Sequence, residues 1–377
     1  MLTVGMSSTS TVTALIVVLV LATPATLVAM PTETTAAPTA VNSCTVIDEP
    51  GQYTLTEDVV RNEGETSRWS CFDIQANDVV LRGGGHVVNA AGAPIGIGVN
   101  VQGDNVTITN LTVREAGVGI RLEETNGSTV ADNDFDDVST GIELKSGSGN
   151  TIPNNTVHTA SMAFLKIAGE NNTVVGNRQT RFDQGSIVIE GENNTVANNT
   201  AGESWFPLNV EGKNHTIVGN DLAGGDGTLS GGAIRLRGTG HEIAHNELTG
   251  AKGVLVESAT GPISIHDNRF RTDYSVKVLA PSVCASGPKG ADVVSVHNNT
   301  FEQDRYLVPP VGVLNKDDGT VNATNNYWGA SDGPSSMDGE NVSDPVTGTL
   351  ANGSGVGVSD GVNFDPWRSE PVNQTAT

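Results

Sequence analysis

A repeat of about 22 residues is the sequence feature that most restricts how this chain can fold. A segment of the form T-V-x-x-N-x-F, a variable turn and a segment of the form G-I-x-L recur together, most clearly as STVADNDF followed by GIELKS. The asparagines at the matching point are Asn110, Asn133, Asn155, Asn177, Asn199, Asn220, Asn246, Asn268, Asn299 and Asn326. Most successive asparagines are 21 to 23 residues apart, and intervals of 26, 31 and 27 mark inserted loops.

Each copy of the repeat contains three short apolar segments that alternate with period two, which indicates strands rather than helices. A chain with 45 glycines and only 4% aromatic residues is also rich in turns and is not typical of a helical bundle. The repeats therefore predict an all-β, single-stranded parallel β-helix of about ten coils with capped ends. We expect the repeated asparagine to adopt the left-handed backbone region at a bend and to form a ladder of stacked amides.

The repeat over residues 72 to 330 resembles the right-handed parallel β-helix proteins of the pectin-lyase-like fold. It is most similar to archaeal secreted members and to the periplasmic accessory protein of nitrous-oxide reductase. The segment DVVLRGGGHVVN resembles their first element, and NNYWGASDGPS with VNFDPW resembles their closing segment. We expect Trp328 and Trp367 to cover the last coil. The resemblance implies a right-handed helix and, commonly in this fold, polysaccharide binding along one sheet.

The N-terminal sequence and the charge predict an exported protein. Residues 13–30 are apolar and precede a Thr/Ala/Pro-rich stretch, which is typical of a signal peptide or an uncleaved anchor. We divide the chain into a signal or anchor at 1–30, a linker at 31–43, the β-helix at 44–330 and a C-terminal cap and tail at 331–377. A net charge of −23 excludes nucleic acid as a natural partner and suggests adaptation to concentrated salt.

We accordingly expect an extracellular or cell-surface monomer that contacts a membrane only through an uncleaved N-terminal segment. Cys44 and Cys71 bracket the first element of the mature chain, and an exported protein would oxidise them to a disulfide. Cys284 is left without a partner.

The alternation of the G-I-x-L strands assigns a row of side chains to the outside of one sheet. The residues predicted in this row are Arg121, Glu143, Lys166, Val188, Asn209, Arg235, Leu255 and Lys277, and a second row contains Glu123, Lys145, Glu190, Glu211, Arg237 and Glu257. Six of the 20 basic residues of an acidic chain fall on this one face. Two interpretations stay open: a ladder of alternating charges between strands, or a surface that binds an acidic polysaccharide. The candidate binding residues are Arg121, Glu143, Lys166, Arg235, Arg237 and Lys277.

An enzyme is not established by the sequence, because the aspartates, Gly-His-Gly and Arg-Ile-Lys of polygalacturonases are absent. If the chain is an enzyme, a polysaccharide lyase or a related carbohydrate-active enzyme is the expected class. The longest insertions follow Asn220 and Asn268. In the second, Arg271, Asp273, Tyr274 and Lys277 are candidates for β-elimination of a uronic acid, which needs a base and a cation. A plain surface loop is the alternative.

Metal binding has two weak candidates, and the expectation is that no cofactor is needed. His266 and His297 occupy equivalent outward positions in successive coils, with His245 close by, and stacked imidazoles suit a borderline metal. The acidic cluster Asp132, Asp134, Asp136 and Asp137 contains calcium-type ligands, although alternation sends its members to different faces.

Asparagine sequons recur because the repeat itself generates many of them. Asn110 is assigned to the inward ladder, and Asn154, Asn198 and Asn298 lie directly before it, so we expect packing to hinder their glycosylation. Asn171, Asn193 and Asn214 lie in the opposite turn and are predicted to face water as glycan acceptors.

The leading hypothesis is therefore an exported β-helix that binds, and in one version processes, an acidic polysaccharide. A non-catalytic structural or adhesive surface protein is the first alternative, and a metal-delivery accessory protein is the second.

Overall fold

The computed structural model is a parallel β-solenoid. It describes residues 37–61, 69–91, 96–180, 185–225, 231–280, 290–302, 310–339 and 341–373. Fourteen strands stack in parallel and in chain order to form one continuous sheet, which we call the first face. Its strands are Thr39–Val41, Gly51–Leu55, Val79–Arg82, Thr107–Thr109, Thr129–Ala131, Thr151–Pro153, Thr173–Val175, Thr195–Ala197, Thr216–Val218, His241–Ala244, Ile263–His266, Val294–His297, Val321–Asn322 and Val362–Asn363. The predicted all-β helix of about ten coils is confirmed, with about 11 turns of ~22 residues.

The other strands form two more faces, called the second and the third in chain order within each coil. These strands are Thr45–Ile47, Val59–Val60, Ser70–Ile74, Val87–Asn89, Ile97–Val101, Thr112–Leu122, Asp134–Leu144, Thr156–Val157, Ala160–Glu170, Arg178–Gln179, Ser186–Glu192, Thr200–Ser204, Leu208–Lys213, Asp221–Gly224, Ile234–Thr239, Glu247–Ala259, Arg269–Leu279, Thr300–Phe301, Val311–Lys316, Ser335–Ser336 and Gly357–Val358. Long strands run from the second face to the third and bend at residues with positive φ, such as Glu115 and Asp137. Two short 3₁₀ helices, Gly290–Val293 and Met337–Gly339, complete the described elements.

The core is a stack of apolar side chains contributed by equivalent positions of successive coils. Ile120 pairs with Ile142, which pairs with Leu165, and all three are fully buried. Each such side chain contributes about 1.5–3 kcal/mol by leaving water, but only when the coils above and below are present. At the C-terminal end the rings of Phe270, Phe301 and Trp328 follow one another at 5.3 and 5.1 Å.

The predicted asparagine ladder is present in nine coils, from Asn133 to Asn326. From Asn133 to Asn299, each backbone N–H donates to the side-chain oxygen of the asparagine in the next coil, as in the 2.9 Å bond from Asn177 to Asn199. The side-chain amides of these eight asparagines donate to the next asparagine and to a backbone carbonyl, and that of Asn177 donates to Ile152. The amide of Asn326, the last member, donates only to backbone carbonyls. All nine ladder asparagines are buried.

Two details of the ladder prediction were wrong. Asn110 is exposed and lies one position before the ladder, where Leu111 donates its N–H to Asn133 at 3.1 Å instead. The left-handed backbone also belongs to the residue before each ladder asparagine, as at Asp132 and Asn154, which have φ of 55°. The bend and the ladder are therefore made by two adjacent residues with separate roles.

A second ladder occupies the turn before the first face and was missed by the sequence analysis. Its buried members are Ser128, Asn150, Asn172, Asn194, His215 and His241. Residues with positive φ precede them, including Asn171, Asn193 and Asn214. Because histidine replaces asparagine in the last two coils, the pattern is not visible as a residue repeat.

The ends of the solenoid extend beyond the predicted repeat. Thr39–Val41 lies inside the segment expected to be a linker and pairs with Gly51–Leu55. In the C-terminal segment, Gly357–Val358 and Val362–Asn363 continue the parallel pairing of the preceding coil. Trp328 is fully buried, and Trp367 packs against the core beside Phe364, with ring centroids 6.4 Å apart.

The predicted disulfide is confirmed: Cys44 and Cys71 are bonded, with their Cα atoms 4.4 Å apart. The disulfide links two cysteines that are 27 residues apart in the sequence, at the N-terminal end of the solenoid. Cys284 and the predicted signal segment 1–30 lie outside the described residues. Among the residues that are described, no helix is long and apolar enough to cross a membrane.

Candidate functional site

The third face presents the predicted outward residues in one row. The strand register joins Arg121 to Glu143, Glu143 to Lys166, Lys166 to Val188 and so on through Asn209, Arg235, Leu255 and Lys277. Neighbouring positions in the row are about 4.8 Å apart, the spacing of hydrogen-bonded strands. The row is therefore a straight line of side chains parallel to the solenoid axis.

At the N-terminal half of this row the charges neutralise one another. The guanidinium of Arg121 donates to Glu143 at 2.9 Å, and these two side chains are only 16% and 15% exposed. Lys166 lies 3.8 Å from the other oxygen of Glu143, and Lys145 lies 2.6 Å from Glu123. This half fits the charge-ladder interpretation, since its cations are held by carboxylates of adjacent coils.

In the middle of the face, two arginines share one carboxylate. Glu257 accepts hydrogen bonds from Arg235 at 2.8 Å and from Arg237 at 2.9 Å. The strand register shifts at Glu257, so this residue has no direct partner in the neighbouring strand. Its carboxylate can therefore accept hydrogen bonds from both arginines. Burial raises the pKa of Glu257, but the bonds from the two arginines outweigh it and hold that pKa below its usual value.

Toward the C-terminal end, the lysines Lys252 and Lys277 lie close enough to repel one another. Lys252 is 4% exposed, and its pKa is lowered because burial disfavours the ammonium and because Lys277 repels it. Lys277 forms no ion pair with any residue that the structure describes. Sequence reasoning missed Lys252 because its position, which pairs with Tyr274, precedes the G-I-x-L segment and reads as a turn.

A line of exposed apolar side chains follows the edge of the third face. Trp69, Met162 and Trp205 are 64%, 72% and 64% exposed; Trp69 and Trp205 lie in bends that lead into this face, and Met162 lies near the start of the strand Ala160–Glu170. Trp69 borders a cleft of about 300 Å³ that also contains Asp73, Asn100 and Arg121. Trp205 adjoins Phe206, whose ring centre lies 5.9 Å from the guanidinium carbon of Arg235. Exposed aromatic rings beside polar groups are typical of binding surfaces.

The four candidate catalytic residues are not brought together. Arg271 lies on the second face, where it donates to Glu302 at 2.9 Å and to Glu247 at 2.8 Å. Tyr274 and Lys277 lie on the third face, and one side-chain oxygen of Asp273 is buried. Residues 269–279 of that insertion form a strand, and residues 281–289 lie outside the described residues. Arg271 is therefore on a different face from Tyr274 and Lys277.

The histidine candidates stack on one another in successive coils. The rings of His266 and His297 are 5.1 Å apart and nearly parallel, and His245 meets His266 edge-on at 6.4 Å. Both ring nitrogens of His266 are engaged, by Asp267 at 2.8 Å and Glu242 at 3.2 Å. Within the described ranges, no group of three or more histidine, cysteine, aspartate or glutamate side chains could hold a metal ion.

The acidic cluster is likewise dispersed. Asp134 accepts a hydrogen bond from His158, Asp132 sits in a left-handed turn, and Asp137 marks the bend between two faces. These aspartates do not direct their oxygens at a common point. Calcium binding stays a prediction.

The three predicted glycan acceptors lie in exposed turns of successive coils. Asn171, Asn193 and Asn214 are exposed and have φ between 54° and 57°. Asn154 and Asn198, which were expected to be hindered, are equally exposed, because only the asparagine after each of them enters the ladder. Burial therefore does not separate Asn154 and Asn198 from the predicted acceptors, whereas Asn298 is half-buried. Glycosylation of Asn171, Asn193 and Asn214 stays a prediction.

Comparisons with known proteins identify the family and the fold. The family model described as "Periplasmic copper-binding protein (NosD)" matches residues 56–230 and 97–283. No curated protein matches the chain. The catalytic domain of a GH87 α-1,3-glucanase in complex with nigerose is 14% identical with a TM-score of 0.54, over 75% of this chain and 60% of that chain.

Two further solved structures are similar to the chain. A variant of the same domain in complex with tetrasaccharides has a TM-score of 0.50 at 14% identity, over 75% and 61% of the two chains. An alginate lyase is 13% identical with a TM-score of 0.45, over 89% of this chain and 92% of that chain. The chain thus spans about 60% of the length of the glucanase domains that it matches, and the likeness to them shows the fold alone.

Proposed function

This chain belongs to the NosD family of right-handed β-helix proteins, and from that premise we propose that it binds an acidic polysaccharide along its third face. The family description is periplasmic, which supports a site of action outside the cytoplasmic membrane. The structural neighbours with TM-scores of at least 0.50 are carbohydrate-active enzymes in complex with oligosaccharides. We extend that property to this chain as a proposal only.

The observation that carries the proposal is Lys277, a cation of the outward row that forms no ion pair with any residue that the structure describes. A carboxylate of a uronic acid beside its ammonium would form a charge-assisted hydrogen bond. On a chain that carries −23 overall, such a cation is a natural point of attachment for an acidic polymer.

The exposed edge residues support an extended ligand that follows the axis. Trp69, Met162 and Trp205 mark a line along the same side as the charged row. An apolar ring or thioether can cover the carbon face of a sugar while the row of cations and amides contacts its polar groups. We propose that the polymer lies between these two lines.

The family description names copper, but the described residues do not fit a copper centre. His266 and His297 are the best donor pair, and the nitrogens of His266 are already bonded to carboxylates. The described residues therefore offer no set of metal ligands that would support a role in metal delivery. The non-catalytic surface rod stays the main rival, and it predicts no retention on a glycan.

Retention on immobilised polygalacturonate or alginate tests the proposal. We expect Lys277→Glu to weaken retention by roughly tenfold because it reverses the charge of a lysine that has no ion pair among the described residues. Lys213→Glu is the matched control: it makes the same charge change at an exposed lysine that pairs with Glu192, away from the row. Arg235→Glu is less informative, since it would also leave Glu257 without one of its partners.

Two outcomes would count against the binding face. One is wild-type protein that passes through both resins at low salt. The other is equal weakening by Lys277→Glu and Lys213→Glu, which would indicate only the general charge of the chain. Unsaturated products, followed by their ultraviolet absorbance, would extend the proposal from binding to lyase activity.

A further inference from the structure

Three side chains on the second face form a hydrogen-bonded relay across successive coils. One ring nitrogen of His158, Nδ1, lies 2.7 Å from the hydroxyl oxygen of Thr180. The other, Nε2, lies 2.9 Å from the carboxylate oxygen Oδ2 of Asp134. His158 therefore bridges a hydroxyl on one side and a carboxylate on the other.

The solenoid itself produces this alignment. Phe135, Val157 and Gln179 pair in register, so the outward residues that follow them lie one above another in three coils. His158 and Thr180 occupy two of these positions, and Asp134 reaches His158 from one residue before the core position of its own coil. The neighbouring side chains that point into the core are buried, and their packing fixes the backbone positions from which the three relay residues project.

The order of groups determines the protonation pattern. Asp134 can only accept a hydrogen bond when ionised, so it fixes the imidazole proton on Nε2. The lone pair of Nδ1 then faces Thr180, and the threonine hydroxyl donates to it. A hydroxyl, a base in hydrogen-bond reach and a third group that orients the base are the components of an activated nucleophile.

The relay is open to solvent. His158 and Asp134 have side chains that are 40% and 41% exposed, and Thr180 is half-buried. Asp136, Asp137 and Arg178 are the other charged residues in the strand segments that flank the imidazole, and Asp137 lies at the bend where its strand leaves the second face. A small ester can therefore reach the hydroxyl, and no covering element within the described residues has to move.

We propose that Thr180 is a nucleophile for acyl transfer from carboxylic esters, with His158 as its general base and Asp134 as a positioning residue. The Thr180 oxygen forms a bond to the acyl carbon while its proton passes to Nδ1 of His158. The bond between the acyl carbon and the alkoxy oxygen breaks, and the alcohol leaves with that proton. Water, deprotonated by the same nitrogen, then cleaves the acyl-threonine and releases the carboxylic acid.

This site is separate from the polysaccharide proposal, because it lies on the second face and uses none of the third-face residues. Failure of either proposal leaves the other unaffected. Its nearest alternative is a purely structural hydrogen-bond chain between coils.

Covalent labelling of the full chain with a fluorophosphonate, followed by peptide mass spectrometry, tests the proposal. The expected product is a phosphonylated Thr180 with loss of fluoride, together with slow turnover of p-nitrophenyl acetate. Thr180→Ser should keep both activities because it keeps the hydroxyl. Thr180→Ala should abolish the adduct, and Thr200→Ala, an exposed threonine in the next coil of the same face, should not.

The roles of the other two residues are tested by rate and pH. His158→Ala should reduce labelling by about 100-fold, the usual contribution of general-base catalysis. Asp134→Asn should shift the pH profile of labelling, which a structural role would not do.

The proposal is overturned if a folded wild-type protein gives no adduct at Thr180, or if His158→Ala labels at the wild-type rate. Melting of each variant is measured alongside. Loss of stability in Thr180→Ala while Thr180→Ser stays unlabelled would show that the relay is structural only.

Discussion

At the scale of single residues, each turn depends on two neighbouring positions with different structural roles. The first position takes a positive φ, which glycine, asparagine and aspartate tolerate best. The second position inserts its amide into the interior and satisfies the backbone groups of the coils above and below. This division explains why sequons cluster at the turns: the residue pair Asn-Asn followed by a strand threonine is a structural unit.

A ladder asparagine should be far more important for stability than an outward residue of the same coil. In Asn177→Ala, the buried N–H of Asn155 loses its acceptor and the carbonyl of Ile152 loses the amide that donates to it. Since each buried unsatisfied group costs about 1–3 kcal/mol, we expect a loss of about 2–4 kcal/mol in the free energy of unfolding. Chemical denaturation measures it, with the outward Thr195→Ala as the control; similar losses in both variants would contradict the ladder account.

The two histidines in the second ladder make stability depend on pH. His215 and His241 stack at 5.2 Å, each accepting a backbone N–H at Nδ1 and directing Nε2 at a backbone carbonyl, so both are neutral. Burial lowers the pKa of His241 to about 4 and also lowers that of His215. The unfolded chain takes up protons near pH 6.5, the folded chain only near pH 4.

Stability should therefore be complete above about pH 6.5 and should decline as the pH falls from there toward about 4, by about 3 kcal/mol for His241. Denaturation curves across this range measure the effect. Replacing both histidines with asparagine, the residue of the preceding coils, should keep the ladder and flatten this part of the profile. An unchanged slope in the double variant would assign the pH dependence to other groups.

At the scale of elements, the period of the sequence predicts the strands well and the corners poorly. The alternation of Ile142 and Leu144 around Glu143 fixes which side of the strand is buried, and the equal spacing of copies fixes the register. Corners depend on backbone conformation, which different residues can satisfy. The one-residue error at Asn110 and the unnoticed histidine ladder both arose there.

The sequence likewise predicts only the part of the candidate site that lies in regular strands. The outward row, including Arg235 and Lys277, follows from alternation alone. Lys252 does not, because it lies where a strand bends from one face to the next and loses its simple period. The relay of Asp134, His158 and Thr180 was also not predicted. Its members belong to three successive repeats whose sequences differ, and Asp134 is not at the position equivalent to the other two.

A column of glycines controls how closely the coils approach one another at one corner. Gly147, Gly169, Gly191, Gly212 and Gly238 have positive φ, and a side chain on Gly191 would collide with the carbonyl oxygen of Gly169. We expect Gly191→Ala to lower stability by more than 3 kcal/mol, combining backbone strain with a clash that rigid coils cannot relieve.

Gly127→Ala is the matched control, because Gly127 also has positive φ but has open space around it. It should cost only about 1 kcal/mol. Thermal melting of both variants distinguishes them. Equal costs would mean that the conformation alone, and not the approach of the coils, requires glycine in the column.

At the scale of the whole molecule, the chain is acidic, and the solenoid formed by residues 37–373 presents one face on which cations are concentrated. Its length supplies many equivalent positions, so an extended ligand can gain affinity by repeating a weak contact in successive coils. Such binding should weaken as salt screens the charges, while the stability of a chain of −23 should rise. The opposite salt responses separate ligand binding from folding in one set of conditions.

Hydroxyl-radical footprinting with a uronic acid oligomer tests the proposed binding face most directly. Trp69, Met162 and Trp205 are exposed, oxidisable reporters along its edge, and the exposed Leu350 lies in the C-terminal segment away from it. At saturating oligomer we expect Met162 and Trp205 to be protected from oxidation and Leu350 to be unchanged. Unchanged oxidation of Met162 and Trp205, with protection elsewhere or nowhere, would contradict the assignment of the third face as a polysaccharide-binding surface.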